Sequence, residues 1–147
     1  MRRWLMLVLA LSVASVLVSG PAVAVDKLEI QIDTVDVPAP PAEQGTFTVS
    51  GEGADLLCPV GTWEAVGAKF WNWTDSGFKI AAERLFTCES GETFLLELRG
   101  TIVFGEGCLG CTWKLKQSEG FDEAPKGSGD IVVLSPAGES YVGFIKS

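Results

Sequence analysis

An all-β domain is what this 147-residue sequence predicts, and three observations lead there. From Phe78 the chain reads FKIAAERLFTCES, GETFLLELRGTIVFGEG and CLGCTWKLK, with apolar residues recurring at every second position. Phe78, Ile80, Ala82, Phe86 and Cys88 share one parity, and after the Glu89–Glu92 turn so do Phe94, Leu96, Leu98, Ile102 and Phe104. A period of two over runs this long describes strands with one buried and one wetted face. Second, short Gly-bearing turns separate the runs, as in a β-meander. Third, no stretch beyond the leader carries a helical period. Seven or eight strands at this spacing fit a barrel or a sandwich.

The N-terminus predicts export. Arg2 and Arg3 precede an apolar run from Trp4 to Val18, and Ala22-Val23-Ala24 offers a small-residue cleavage site. Residues 1–24 therefore read as a signal peptide, which places the protein outside the cell or in the periplasm. The apolar run is short, Gly20-Pro21 breaks it and no basic cluster follows, so no membrane span is expected after cleavage. The 123 remaining residues suffice for one domain. They hold 9 Lys and Arg against 19 Asp and Glu, because the leader removes two basic residues and no acidic one, giving −10. That charge argues against a nucleic-acid or anionic-membrane partner.

Residues 25–44 read as a first strand plus a Pro-rich connector. Leu28-Glu29-Ile30-Gln31-Ile32-Asp33 alternates cleanly, the phase shifts at Thr34, and Pro38 to Pro41 cannot donate to a ladder. This segment is read as an N-terminal arm beside a β-barrel domain at 45–147. It is expected to cover Leu95 and Val103, which fall on the wetted parity of their strand. Gly45 to Ser50 is a short strand with Phe47 and Val49 inward, and Gly51 to Thr62 is loop-rich. Trp63 to Trp73 carries apolar groups on both parities and is read as a strand buried on both faces, or a bent one. Ser118 to Gly129 reads as a polar loop. Asp130–Leu134 and Tyr141–Ile145 make a closing pair of strands.

All four cysteines follow the leader, and an even number in an oxidising compartment predicts pairing. Three connectivities are possible. Cys108-Leu-Gly-Cys111 lies in a hairpin turn that can bring its sulfurs together, which leaves Cys58 with Cys88. Oxidoreductase C-x-x-C motifs sit at a helix N-terminus, whereas Thr-Trp-Lys-Leu-Lys after Cys111 reads as strand, so redox work is not expected. A four-thiolate zinc site would need a second C-x-x-C pair, which the chain lacks. The absence of histidine removes Ser-His-Asp and Cys-His catalysis and histidine metal sites. No catalytic residue, metal or cofactor is expected. Glu97 and Arg99 share a strand face and read as a solvated pair.

Trp63, Trp71 and Trp73 lie on one parity and form the candidate ligand-binding row, either lining a cavity or making a flat sugar-binding face. Ordinary core packing competes with that reading.

One stretch resembles a known family. Cys111-Thr-Trp-Lys-Leu-Lys, a loop with Gly120, and Gly127-Ser128-Gly129 are similar to a motif of small secreted bacterial proteins. There a G-T-W strand precedes G-T-G-A-Y-A-x-L-x-G-S-G. Those proteins look like relatives of the calycin-like barrel of allene oxide cyclases and dirigent proteins. Here Ser118 replaces the first Gly, Phe121 sits one place before the expected Tyr, and Pro125 replaces the Leu. The resemblance implies a single antiparallel barrel of about eight strands rather than the alternative sandwich. It transfers no catalytic residue. Three roles are left open. The first is a non-catalytic secreted barrel that binds a small apolar or sugar ligand. The second is an interaction or structural module of the cell surface, and the third a cofactor-independent lyase or cyclase in the barrel pocket.

Overall fold

The computed structural model describes residues 26–37, 43–135 and 137–147, so the expected leader (1–24) and the Pro-rich stretch (38–41) lie outside the described residues. Eight strands close one antiparallel barrel in chain order, each paired with its sequence neighbour and the last with the first. They are β1 (Leu28–Val37), β2 (Gln44–Ser50), β3 (Val60–Thr74), β4 (Gly77–Cys88), β5 (Thr93–Val103), β6 (Gly107–Glu119), β7 (Lys126–Ser135) and β8 (Gly138–Lys146). A 3₁₀ turn, Ala54–Leu56, interrupts the loop after β2. The barrel is thus the outcome, and the sandwich is not.

The meander is as its alternation predicts. Ala82, Phe86 and Cys88 of β4 and Phe94, Leu96 and Leu98 of β5 are all buried. The bore is filled by side chains. Phe47 meets Phe86 and Phe94 edge-on at 5.1 and 5.7 Å, and Phe86 stacks on Phe94 at 4.8 Å. Trp113, Tyr141, Ile32 and Ile145 complete this core, with the Trp113 indole N–H donating to Val142 O at 3.0 Å. Leu96→Ala should cost about 2–4 kcal/mol in chemical denaturation, since a completely buried side chain leaves a cavity in such packing. Thr93→Ala, on the opposite parity, should cost less than about 1 kcal/mol.

Four expectations are corrected. The N-terminal strand is no arm: β1 pairs with β2 along Gln31–Val37 and with β8 along Leu28–Asp33, so the barrel begins at Leu28 and not at residue 45. β1, being a strand of the ring, does not cover Leu95, which is half-buried with Leu85 as its cross-strand partner. The polar loop is shorter than 118–129, because β6 runs to Glu119 and β7 starts at Lys126. Finally, of the two readings of Trp63–Trp73, burial on both faces fails and a bent strand, β3, is what the structure shows. Its register shifts between Ala65 and Gly67 and again between Trp71 and Thr74, and every residue from Val66 to Thr74 is exposed.

The walls have unequal height. β3, β4, β5 and β6 have 15, 12, 11 and 13 residues, against 10, 7 and 9 for β1, β2 and β8. The β3–β6 side therefore projects beyond the ring on the side where the β1–β2, β3–β4, β5–β6 and β7–β8 connections lie.

Candidate functional site

Two features of the rim carry chemistry, a buried polar cluster and an exposed aromatic ledge.

The cluster centres on Arg84. It occupies an inward position of β4, between Ala82 and Phe86, and its side chain is only 9% exposed. Glu139 points inward from β8, which is four strands from β4 whichever way the ring of eight is counted. Arg84 therefore reaches across the bore, with Nη2 3.4 Å from Glu139 Oε1 and 2.9 Å from Glu43 Oε2. Its guanidinium lies 5.3 Å from the Trp63 ring centre, a cation–π arrangement. Tyr141 Oη donates to Glu139 Oε2. Thr34 pins the β8 backbone, its hydroxyl accepting from Glu139 N at 2.8 Å and donating to Glu139 O at 3.3 Å.

Loss of hydration pushes the Glu139 carboxyl above the usual range, and the Asp36 charge adds to this while Arg84 opposes it. Asp36 is also raised, by burial first and by Glu43 second, again against Arg84. Three buried polar atoms around this cluster lack a hydrogen-bond partner among the described residues: Asp36 Oδ1, Trp63 Nε1 and Arg84 Nε.

The ledge is the inner face of the projecting sheet. Phe70 pairs with Ile80 and Phe78 with Ile102, all continuing the inward side that Ala82 and Leu98 occupy lower down. The opposite wall does not rise far enough to cover them. Phe78 stacks on Trp73 at 4.3 Å and meets Phe70 at 5.6 Å and Phe104 at 5.9 Å. Phe70, Trp73 and Phe104 remain 50%, 62% and 53% exposed.

The structure does not bring the three candidate tryptophans together. Trp63 is buried in the barrel, Trp71 faces outward opposite Lys79, and Trp73 belongs to the ledge. The two bulges of β3 are the cause, because each extra residue exchanges the faces of everything after it. Asn72 sits at the second bulge with φ +53°, a left-handed conformation that Asn tolerates.

Cys58 is bonded to Cys88, as expected, tying the loop before β3 to the end of β4 with Cα atoms 5.9 Å apart. Cys108 and Cys111 are joined at the start of β6, with Cα atoms 5.7 Å apart. They rest against Gly100, where a Cβ would collide with Cys111 Sγ and lie 3.0 Å from Cys108 Sγ. Arg99 Nε donates to Glu97 Oε1 at 2.8 Å with Arg99 well exposed, and Lys116 lies 3.7 Å from the same carboxylate. The Arg99 pair holds the Glu97 carboxyl below its ordinary value.

The chain matches no protein-family model, no curated protein and no solved structure. Its site must be argued from its own geometry.

Sequence reasoning passed over Arg84, Glu139, Asp36 and Glu43. The signal was there in part: Arg84 and Glu139 are charges on the inward parity of otherwise apolar strands, and their signs are opposite. No helix among the described residues is long and apolar enough to cross a membrane.

Proposed function

We propose that this is a secreted, non-catalytic β-barrel protein that takes a small apolar ligand on the aromatic ledge of its rim. The ledge itself carries the reading. An inner sheet face is apolar because it is built to be covered, and here Phe70, Trp73 and Phe104 stand exposed around the half-buried Phe78. Fully burying an aromatic side chain removes about 150–250 Å², so the exposed halves of Phe70, Trp73 and Phe104 offer roughly 300 Å². A stable protein–protein interface needs about 800 Å² from each partner, so this area suits one small molecule better than a second subunit. The filled bore supports binding at the rim and not inside the barrel. Export is supported by the leader and by the disulfides.

The lyase or cyclase reading would rest on the raised carboxyls of Asp36 and Glu139. Glu139, however, is engaged by Arg84 and Tyr141, a use that stability alone explains. The cell-surface module reading would need a larger apolar area than the ledge presents.

The test is titration with the neutral fluorophore N-phenyl-1-naphthylamine. Saturable binding is expected, with Trp73→Ala/Phe78→Ala weakening it at least about tenfold, equivalent to 1.4 kcal/mol, while far-ultraviolet circular dichroism is unchanged. Affinity indifferent to that double change would remove the ledge as the site. The non-catalytic part is checked with ester, glycoside, peptide and disulfide substrates. Turnover that survives repurification and is lost on one substitution would overturn it.

A further inference from the structure

Beneath the apolar ledge the open end of the barrel has a polar floor. Asp36 lies near the end of β1, Glu43 just before β2 and Glu139 at the start of β8, so the Arg84 cluster closes the bore level with the short wall. The ledge rises from the wall opposite. On β4 the inward positions run Arg84, Ala82, Ile80, Phe78, a span of about 20 Å at the rise of an antiparallel strand.

Within that floor, hydrogen-bonding capacity is left over in one corner. Gly45 pairs with Asp36 on one side and with Trp63 on the other. The Trp63 indole lies over it, since an added Cβ there would stand 2.8 Å from Trp63 Nε1. The Arg84 guanidinium sits on the same indole. Trp63 Nε1–H, Arg84 Nε–H and Asp36 Oδ1 are each shut from solvent and without a partner among the described residues. Trp63 is 3% exposed, and the Arg84 side chain is nine-tenths buried. Unmet buried polar atoms cost free energy, and such atoms on adjoining positions call for a common partner.

We infer that the ligand of the ledge is a neutral amphiphile of the primary carboxamide class, its head seated on Trp63, Arg84 and Asp36. The inference rests on the ledge as a binding site and adds the chemistry of the head.

Two donors and one acceptor select that head. A carboxamide oxygen accepts from Trp63 Nε1 and Arg84 Nε, and its N–H donates to Asp36 Oδ1. A carboxylate answers both donors but faces Asp36, Glu43 and Glu139, whereas an ammonium answers Asp36 and meets the Arg84 cation. An ester lacks the donor. Burial and the Glu43 charge already hold the Asp36 carboxyl above its ordinary value, so it favours a donor over a further anion. Glu43 is the cover. Its side chain is 70% exposed and joins the cluster through Arg84 Nη2, so turning it outward uncovers the corner without moving a strand. The tail then lies along the half-buried Ile80 and Phe78 towards Trp73.

The experiment is displacement of bound N-phenyl-1-naphthylamine at neutral pH by decanamide, methyl decanoate, decanoate and decylammonium. Decanamide is expected to compete at a concentration at least about tenfold below each of the others. Trp63→Phe and Asp36→Ala should each weaken decanamide severalfold and leave direct binding of the fluorophore unchanged, with melting curves verifying that both variants are folded. With the fluorophore bound, equal competition by all four would show that water serves these atoms and the head is not read, which overturns the inference and leaves the ledge standing. A preference for decanoate or decylammonium would overturn the neutral head, and decanamide binding indifferent to both substitutions would overturn its seat. Absence of fluorophore binding would instead remove the ledge, and the inference with it.

Discussion

Arg84→Met should destabilise the protein by about 3–5 kcal/mol at neutral pH. The substitution removes the cation from a buried pair and leaves Glu139 with an uncompensated charge in the bore. Glu43, at 70% side-chain exposure, loses little, so the cost falls on Glu139 and Asp36. Both carboxyls already lie above their ordinary values with Arg84 present, and Arg84 is the influence that lowers them. Its removal raises them further.

The pH dependence follows in sign. A carboxyl whose native value is raised binds its proton more readily folded than unfolded. It therefore supports stability below its unfolded value and loses that support as pH rises through the native value. For Glu139 the window opens at its ordinary 4.5 and extends up to the raised native value. The Arg84→Met deficit should accordingly shrink as pH falls towards that lower limit, where Glu139 enters the bore neutral. Urea melts of parent and variant at several pH values measure this. A deficit that is flat with pH would mean the loss is one of packing, Arg84 having covered the Trp63 ring. Arg84→Met/Glu139→Gln should recover most of the stability, because the charge is gone and the amide still accepts from Tyr141.

Replacing Cys58 and Cys88 together should cost about 3.5 kcal/mol, on the chain-entropy account of a crosslink spanning a sequence separation of 30. The same treatment of Cys108 and Cys111 removes a ring closed across a separation of 3, worth about 2 kcal/mol at most before strain. Denaturation midpoints of the two double-Ala variants give the comparison. Equal losses would show that the long crosslink acts through native packing rather than through the unfolded chain, since Cys58 and Cys88 are both buried in the core.

What the sequence made legible was whatever depends on alternation alone. Ala82, Phe86, Phe94, Leu96 and Leu98 could be assigned inward because nothing interrupts the period between them. The tryptophans could not be placed, because two bulges lie between Trp63 and Trp73, and a bulge has no alternation of its own. Gly67 and Asn72 mark the neighbourhoods of those bulges, but either residue would serve equally well in a regular turn. The polar cluster was hidden for a different reason. Arg84, Glu139, Asp36 and Glu43 come from four separate parts of the chain, and only ring closure sets β8 across the bore from β4. The ledge likewise depends on relative strand heights, which follow from register. Its apolar residues were visible, while their lack of cover was not.

The pairing of Leu28 with Ile145 has a consequence in time. Every other seam of the ring joins strands adjacent in the chain and can zip up locally as each hairpin forms. This one must bring together the first and last strands, after paying the largest loop-closure cost in the molecule. Until it forms, the sheet is an open ribbon with β1 and β8 as bare edges, each able to recruit a strand from another chain. The Cys58–Cys88 crosslink cannot hasten that step, since it ties the loop before β3 to the end of β4, strands that are already neighbours. The hazard of misassembly during folding thus gathers at one seam, in the interval before β8 arrives.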